Sequence, residues 1–436
     1  MSGLLGRLAT LQNDRGQGPS PLEQSFATTL RTCGLRHPTP PSDTVLAQLC
    51  GGEVVAPGVI RVASHHRLGT PRGRSRLEPP RFSALIRPER AGGGAGDSGE
   101  ARGGGAGDPG GAGGGDAGHP GGAGGGNPGA PARPEPAQVA LLDTETTGLA
   151  GGTGTVAFLI GVGRYHPEGL TVTQWLLTGF HAEAALLAEV TAALAGATHL
   201  ATFNGRTFDA PLLRTRHRLT RVPSVLDTLT HLDLLHPTRR LFRTRWPDCR
   251  LQTVERTLLG FTREDDLPGH LAPVVWSDLL RRGDGRRIPR VLAHNRDDIV
   301  TLAVALPLVD RLLAGEEHRP DADARAVARH LASRDPAAAR AYLERHLRYL
   351  DNPALQDLAR HYRRSGHWEQ AAAIWHELAQ DDDPHSLAAL SRYHEHRLRD
   401  PVAALHYAER LGAHTRVDPH HDQRLRRLRR AIGAAG

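Results

Sequence analysis

The chain has no lysine: its 54 Lys/Arg positions are all arginine. It has 3 cysteines, Cys33, Cys50 and Cys249, and none of them forms a CxxC pair. That scarcity argues against a disulfide framework or a thiolate zinc site, and it fits a reducing compartment. No run approaches the ~20 apolar residues that a membrane span requires. The opening "MSGLLGRLATLQNDRGQGPS" carries too short an apolar stretch for a secretory signal. A soluble, cytoplasmic protein without membrane contact is therefore expected.

What is present is ordinary in bulk and uneven along the chain. With 436 residues, 39% of them apolar and 23% charged, there is room for two or three domains with real cores. The formal charge of +7 is carried by arginine, whose rigid fork of donors suits phosphates. GC-rich codon usage would leave the same composition, so charge alone does not decide for a nucleic-acid partner. Of the 50 glycines, many fall in "GGGAGDSGEARGGGAGDPGGAGGGDAGHPGGAGGGNPGAP", residues 92–131. With almost no large apolar side chain, such a segment cannot offset its ordering entropy. Residues 92–136 are expected to be a flexible linker behind an N-terminal accessory region, 1–91. That region shows a helical pattern around Leu4 to Leu11 and a possible strand at "GVIRVAS".

From 137 to 313 strand and helix patterns succeed one another. "VALLDTE", "TVAFLIGVGRY" and "LTVTQWLLT" read as three neighbouring strands, and "THLATFNG" as a fourth. "AEAALLAEVTAALAG", "TFDAPLLRTRHRL" and the long "RVLAHNRDDIVTLAVALPLVDRLLAG" read as helices. This order predicts an α/β fold, a mixed sheet flanked by helices. Beyond 320 the pattern is all-helical and repeats: "DPAAARAY" (335–342), "WEQAAAIW" (368–375) and "DPVAALHY" (400–407) align at spacings of 33 and 32 residues. "LQDLARHYRRSGHWEQAAAIW" resembles a tetratricopeptide unit, so 320–436 is expected to be a helical-repeat region with a basic tail.

Three local patterns carry chemistry. Asp143 and Glu145 stand at i and i+2 of a strand, so both point to one face. Two desolvated carboxylates repel, and a hard divalent cation relieves the repulsion. In "FNGRTFDAPLL" a strand ending at Asn204 leads into a helix bearing Asp209; Thr207 and Asp209 could equally serve only that helix N-terminus. In "HNRDDIV" His294 and Asp298 share a helix face, with Asp297 a rival ligand that spacing does not exclude. The glycines of "GLAGGTGTVA" invite a phosphate-loop reading. A strand-like apolar run follows them instead of a helix, and no GK[ST] follows, so they are read as a strand-to-strand turn. "RTRHRLTR" and "RRLFRTRWPDCR" interleave arginine with Phe242 and Trp246. They are either a backbone-tracking, base-stacking surface or a solvated helix face over a buried aromatic pair.

Taken in order, "LLDTETTGL", "FNGRTFD" and "HNRDD" resemble the three motifs of the DEDD 3′→5′ exonuclease superfamily, which has a ribonuclease-H-like fold. The intervening "LDLLHPTRRLFRTRWPDCRLQTVERTLLGFTREDDLPG" is similar to the bacterial YprB-like branch, in which helical repeats follow the nuclease domain. The resemblance covers 137–313 well and 320–415 loosely. It implies that Asp143, Glu145, Asp209 and Asp298 coordinate two divalent cations, Mg²⁺ or Mn²⁺. His294 would act as, or orient, the general base, although its four-residue spacing to Asp298 is commoner where tyrosine fills that role. Thr146, Asn204, Arg239, Arg240 and Arg243 would contact substrate, a single-stranded or 3′ end with DNA favoured, possible work in DNA repair, and 5′-monophosphates as product. The repeats would recruit a protein such as a helicase or repair factor. A catalytically inert nucleic-acid-binding adaptor is the competing expectation.

Overall fold

A computed structural model describes residues 41–86, 133–148, 154–414 and 419–433. The expected helix near Leu4 to Leu11, nearly all of the glycine-rich linker, and five residues of the "GLAGGTG" turn lie outside the described residues.

The chain first forms α1 (Asp43–Cys50), capped by Ser42 and closed by Gly51 in the left-handed region. β1 (Glu53–Ala56) and β2 (Val59–Arg67) follow, then the two-residue strands β3 (Pro71–Arg72) and β4 (Ser75–Arg76). Beyond the glycine-rich tract come β5 (Val139–Thr146), β6 (Ala157–His166) and β7 (Gly169–Leu177). Next are α2 (Glu183–Ala193), β8 (His199–Thr202), α3 (Asp209–Thr220), β9 (Thr230–Asp233) and α4 (Leu235–Phe242). α5 (Ala272–Arg282) and α6 (Ile288–Ala314) complete this body.

Seven strands make one mixed sheet in the order β1-β2-β7-β6-β5-β8-β9. β5, β6 and β7 are antiparallel neighbours, whereas β8 and β9 join in parallel beyond β5. Residues 53–67 stand apart from this body in sequence but belong to its sheet. β2 pairs with β7 from Val59↔Leu177 to Arg67↔Gly169, without a register break.

β5 lies inside the sheet, between β6 and β8, and is apolar on both sides. Val139 and Leu141 enter one hydrophobic core and Ala140 and Leu142 the other, as the two-residue period of a strand demands. α6 covers the first of these faces. It crosses close to β6 because Gly161 stands there: a Cβ at that position would meet Asn295 Oδ1 at 2.3 Å. Asp143, paired with Gly161 across the ladder, therefore faces α6 directly.

The remainder is helical. α7 (Ala324–Ala332) packs with α8 (Pro336–Arg345), α9 (Asn352–Arg364) with α10 (Trp368–Leu378), and α11 (Pro384–Tyr393) with α12 (Pro401–His414), ahead of α13 (Pro419–Gly433). The motif repeated in the sequence falls on the second helix of each pair. Its equivalent alanines, Ala339, Ala372 and Ala404, are all buried where helices meet. No helix among the described residues is long and apolar enough to cross a membrane.

Candidate active site

Four carboxylates from three elements gather at one end of the sheet. Asp143 and Glu145 project from the C-terminal half of β5, Asp209 opens α3, and Asp298 sits on α6 one helical turn after His294. Glu145 is buried, and the other three keep only slight solvent contact. Asp143, Asp209 and Asp298 are each held by a donor of their own. Asn295 Nδ2 donates to Asp143 Oδ2 at 2.7 Å and to the Asp143 carbonyl at 3.2 Å. The Thr144 hydroxyl donates to Asp209, and the Arg263 guanidinium donates to Asp298. Asn295 is itself fixed, since Gln174 Nε2 donates to its Oδ1 at 2.8 Å.

His294 lies against this group. Its Nδ1 is 2.8 Å from Asp266 Oδ1; a carboxylate can only accept there, so Nδ1 carries the proton. Nε2 then faces the carboxylates, 3.9 Å from Glu145 Oε1 and 3.7 Å from Asp298 Oδ2. Asp297 turns away: its carboxylate lies 3.7 Å from Arg72 Nη1 and 3.4 Å from Arg296 Nη2. Of the two adjacent aspartates, Asp298 is the one that joins the cluster.

Behind Asp298 runs a chain of alternating charge. Arg263 forks onto Glu255 at 2.7–3.0 Å, and Glu255 also accepts from Arg72 Nη2 at 3.0 Å. Arg72 comes from β3, before the glycine-rich tract, and donates to Thr301 Oγ1 at 2.9 Å while its guanidinium lies 4.1 Å from the Phe261 ring centroid. Two arginines thus neutralise one buried glutamate and one site aspartate.

The electrostatics follow from burial and crowding. Burial raises the Asp143 carboxyl well above the usual range, and Asp298, Asp209 and Glu145 raise it further, against the Asn295 hydrogen bond. Burial, Asp298, Asp209 and Asp266 do the same to Glu145, opposed by Arg263. Asp209 is raised to about 6, by burial first, with Asp233 and Asp298 adding and the Thr144 hydrogen bond opposing. Asp298 is also raised by burial, less so because Arg263 and His294 offset it. Burial works against charge on Arg263, but Asp298 and Glu255 outweigh it and hold the guanidinium protonated.

Raised folded-state values mean that the folded, metal-free chain keeps protons which the unfolded chain releases from about pH 4 upward. Stability from these groups is present at low pH and is lost as pH rises through about 6 and beyond. Histidines such as the buried His217 and the half-buried His231, whose values desolvation lowers, contribute the opposite slope. The comparison that isolates the site is native protein against Asp143→Asn, both melted in EDTA. We expect the variant to gain in melting temperature relative to native as pH rises from about 4.5 to about 7.5. A difference independent of pH would contradict the crowded cluster.

Among the residues expected to contact substrate, Thr146 lies at the end of β5 with its hydroxyl donating to the Gly148 carbonyl at 2.9 Å. Asn204 takes a left-handed φ of 69° in the loop before α3, its N–H donating to Asp233 at 2.7 Å. Arg239, Arg240 and Arg243 are exposed along α4 and its C-terminal end. Phe242 and Trp246 are not available to bases. Both are buried and stacked on each other at 3.9 Å, and Trp246 Nε1 donates to Asp321 at 3.0 Å. Sequence reasoning missed Asn295, Asp266, Arg263, Glu255 and Arg72. Asn295 carried a readable signal, one helical turn before Asp298 on the same face; the others did not.

Two comparisons bear on this arrangement. The RNase_H superfamily model matches residues 140–309, which span β5 to most of α6. The protein named "Uncharacterized protein YprB" of Bacillus subtilis (strain 168) is 33% identical over 283 residues, covering 61% of this chain and 67% of its own length. On the seven-stranded sheet, the superfamily match and that identity, the chain belongs to the ribonuclease-H-like YprB family.

Proposed function

We propose that the chain is a metal-dependent 3′→5′ exonuclease of the DEDD type, hydrolysing phosphodiester bonds of nucleic acid, DNA by preference, to 5′-monophosphates. The observation that carries this reading is the convergence of Asp143, Glu145, Asp209 and Asp298 beside one histidine, at a cost in mutual repulsion that burial enlarges. The all-oxygen donor set fits Mg²⁺ or Mn²⁺, because hard cations prefer carboxylates and would relieve that repulsion. Among the described residues no three such side chains converge closely enough to enclose an ion as they stand. The reason lies in the donors already named: Asn295, Thr144 and Arg263 each draw one carboxylate toward themselves. Ligation requires side-chain rotations, above all release of Asp298 from Arg263.

Bound divalent cations would lower the pKa of an attacking water and stabilise charge on the phosphate and the leaving 3′ oxygen. The chain's own groups have separable roles. Asp266 fixes the tautomer of His294, so Nε2 faces the carboxylates, where it can accept a proton from water. Asn295 and Gln174 set the direction of Asp143. In this reading Thr146, next to Glu145 on β5, and Asn204, in the loop that leads to Asp209, contact the substrate, and the exposed Arg239, Arg240 and Arg243 offer charge to its backbone. Residues 137–313 form the nuclease body in this reading, and the helices of 320–436 are tetratricopeptide-like, serving to recruit a protein such as a helicase or repair factor.

The test is digestion of end-labelled single- and double-stranded DNA and RNA by the full chain, in Mn²⁺ and in EDTA. A 5′-labelled strand should shorten stepwise, and a 3′-labelled strand should lose its label as a mononucleotide in the first steps. Absence of Mn²⁺-dependent cleavage on all four substrates would leave an inert nucleic-acid-binding adaptor as the better account.

A further inference from the structure

A cavity of about 470 Å³ lies where five distant parts of the chain meet: residues 84–86, Arg206, β9 with α4, Leu313 of α6, and His330 of α7. Its ionisable lining is one-sided. Arg206, His231, His236, Arg240 and His330 face it, with Asp233 as the single acid. Asp233 is already engaged, accepting backbone N–H bonds from Asn204 at 2.7 Å, Arg206 at 3.0 Å and Leu235 at 3.1 Å. Arg206 and Arg240 have no carboxylate partner among the described residues; Arg240 Nη1 instead lies 3.3 Å from His330 Nδ1. Cationic groups placed together without acids favour an anion between them. The rest of the wall is apolar, from Leu85, Ile86 and Leu313, and a volume of this size suits a ligand of nucleotide dimensions.

One loop runs from the cavity to the candidate active site. Residues 203–208 join β8 to α3; their N–H groups hold Asp233, and the next residue is Asp209. Asp233 stands near enough to Asp209 to raise its carboxyl.

We propose that this cavity binds one nucleotide unit of a nucleic-acid strand, its phosphate on Arg206, Arg240 and His330 and its sugar and base against Leu85, Ile86 and Leu313. The helical region and the segment before the glycine-rich tract are then parts of the substrate-binding surface. That the strand's reacting end lies at the carboxylates rests on the nuclease reading above; binding in the cavity does not.

The experiment measures fluorescence anisotropy of a labelled single-stranded oligonucleotide with the full chain in EDTA, across a salt series. Arg206→Glu and Arg240→Glu should each raise Kd about tenfold at low salt. Each should also flatten the dependence of log K on log salt by about 0.7, the single-strand value per phosphate contact. Arg282→Glu, an equal charge change at an exposed α5 position that does not line the cavity, should shift Kd less than about twofold. Cavity variants no weaker than this control would overturn the proposal. So would poly-glutamate competing as well as unlabelled oligonucleotide, which would mark an acidic protein segment as the occupant. Arg206 lies in an exposed loop, so Arg206→Glu carries the test if Arg240→Glu fails to fold. The two readings fail separately. Cavity-dependent binding without Mn²⁺-dependent cleavage sinks the nuclease alone, and cleavage with unaltered binding in the variants sinks the cavity alone.

Discussion

Asp143→Asn is expected to lower Mn²⁺-dependent turnover by on the order of 10³, the scale seen when one preorganised charge is lost from a water-poor site. The same change should leave the metal-free fold at least as stable at pH 7.5, by about 2–4 °C in melting temperature per kcal/mol of repulsion removed. Both effects have one cause. The Asp143 carboxylate is buried among three others, so its charge is a liability to the fold and an asset only to a cation. The amide keeps the contact with Asn295, because its oxygen can accept from Nδ2 as the carboxylate does. Asp298→Asn should behave alike in turnover, with less gain in stability, since Arg263 already offsets that charge. Single-turnover digestion of a 3′-labelled strand, beside a thermal melt in EDTA, reads both quantities. Turnover within tenfold of native in both variants would remove these residues from the chemistry. Loss of turnover together with a large drop in melting temperature would make them structural.

Arg263→Met should be the most destabilising single change near the site, by about 3–5 kcal/mol in EDTA. The guanidinium is nearly excluded from solvent and serves two acids, Glu255 by a fork and Asp298 directly. Methionine fills comparable space but leaves buried charge uncompensated, which is the costly way to break such a pair. Arg72 continues to neutralise part of Glu255, so the lower end of that range is expected. Arg263→Lys keeps a charge without the fork and should lose roughly half as much. If Asp298 takes a cation, Mn²⁺ should return part of the stability to Arg263→Met and little to native protein. Because Arg72 and Arg263 share Glu255, the two losses should not add, a coupling that a double-mutant cycle in urea measures. A loss under about 1 kcal/mol would show that the network is solvent-screened, in contradiction to its burial.

How much of this was legible beforehand depended on whether the signal was local. β5, β6 and β7 were readable because each carries its own apolar pattern over eight to ten residues. The carboxylates were readable because spacing along a strand or helix states which residues share a face. β2 was legible as a strand from "GVIRVAS" but not as a member of this sheet. The pairing that makes it so joins residues more than one hundred positions apart across the glycine-rich tract. The basic stretch from Arg239 to Arg250 was ambiguous because exposure is not a property of composition. Folding put its arginines outside and stacked Phe242 on Trp246 inside.

By itself the sequence determined that this protein has a mixed sheet flanked by helices, a helical region with a recurring alanine–aromatic unit, and a set of acids on faces able to meet. Those are consequences of period and residue type, which act over one or two turns of chain. Only the tertiary structure decided what holds the acids and which of two adjacent aspartates joins them. Asn295 reaches Asp143 across 152 positions, and Arg72 reaches Thr301 across 229. A buried polar contact of that kind is specified by three-dimensional packing and by the cost of leaving charge unpaired. Neither leaves a periodic trace in the chain.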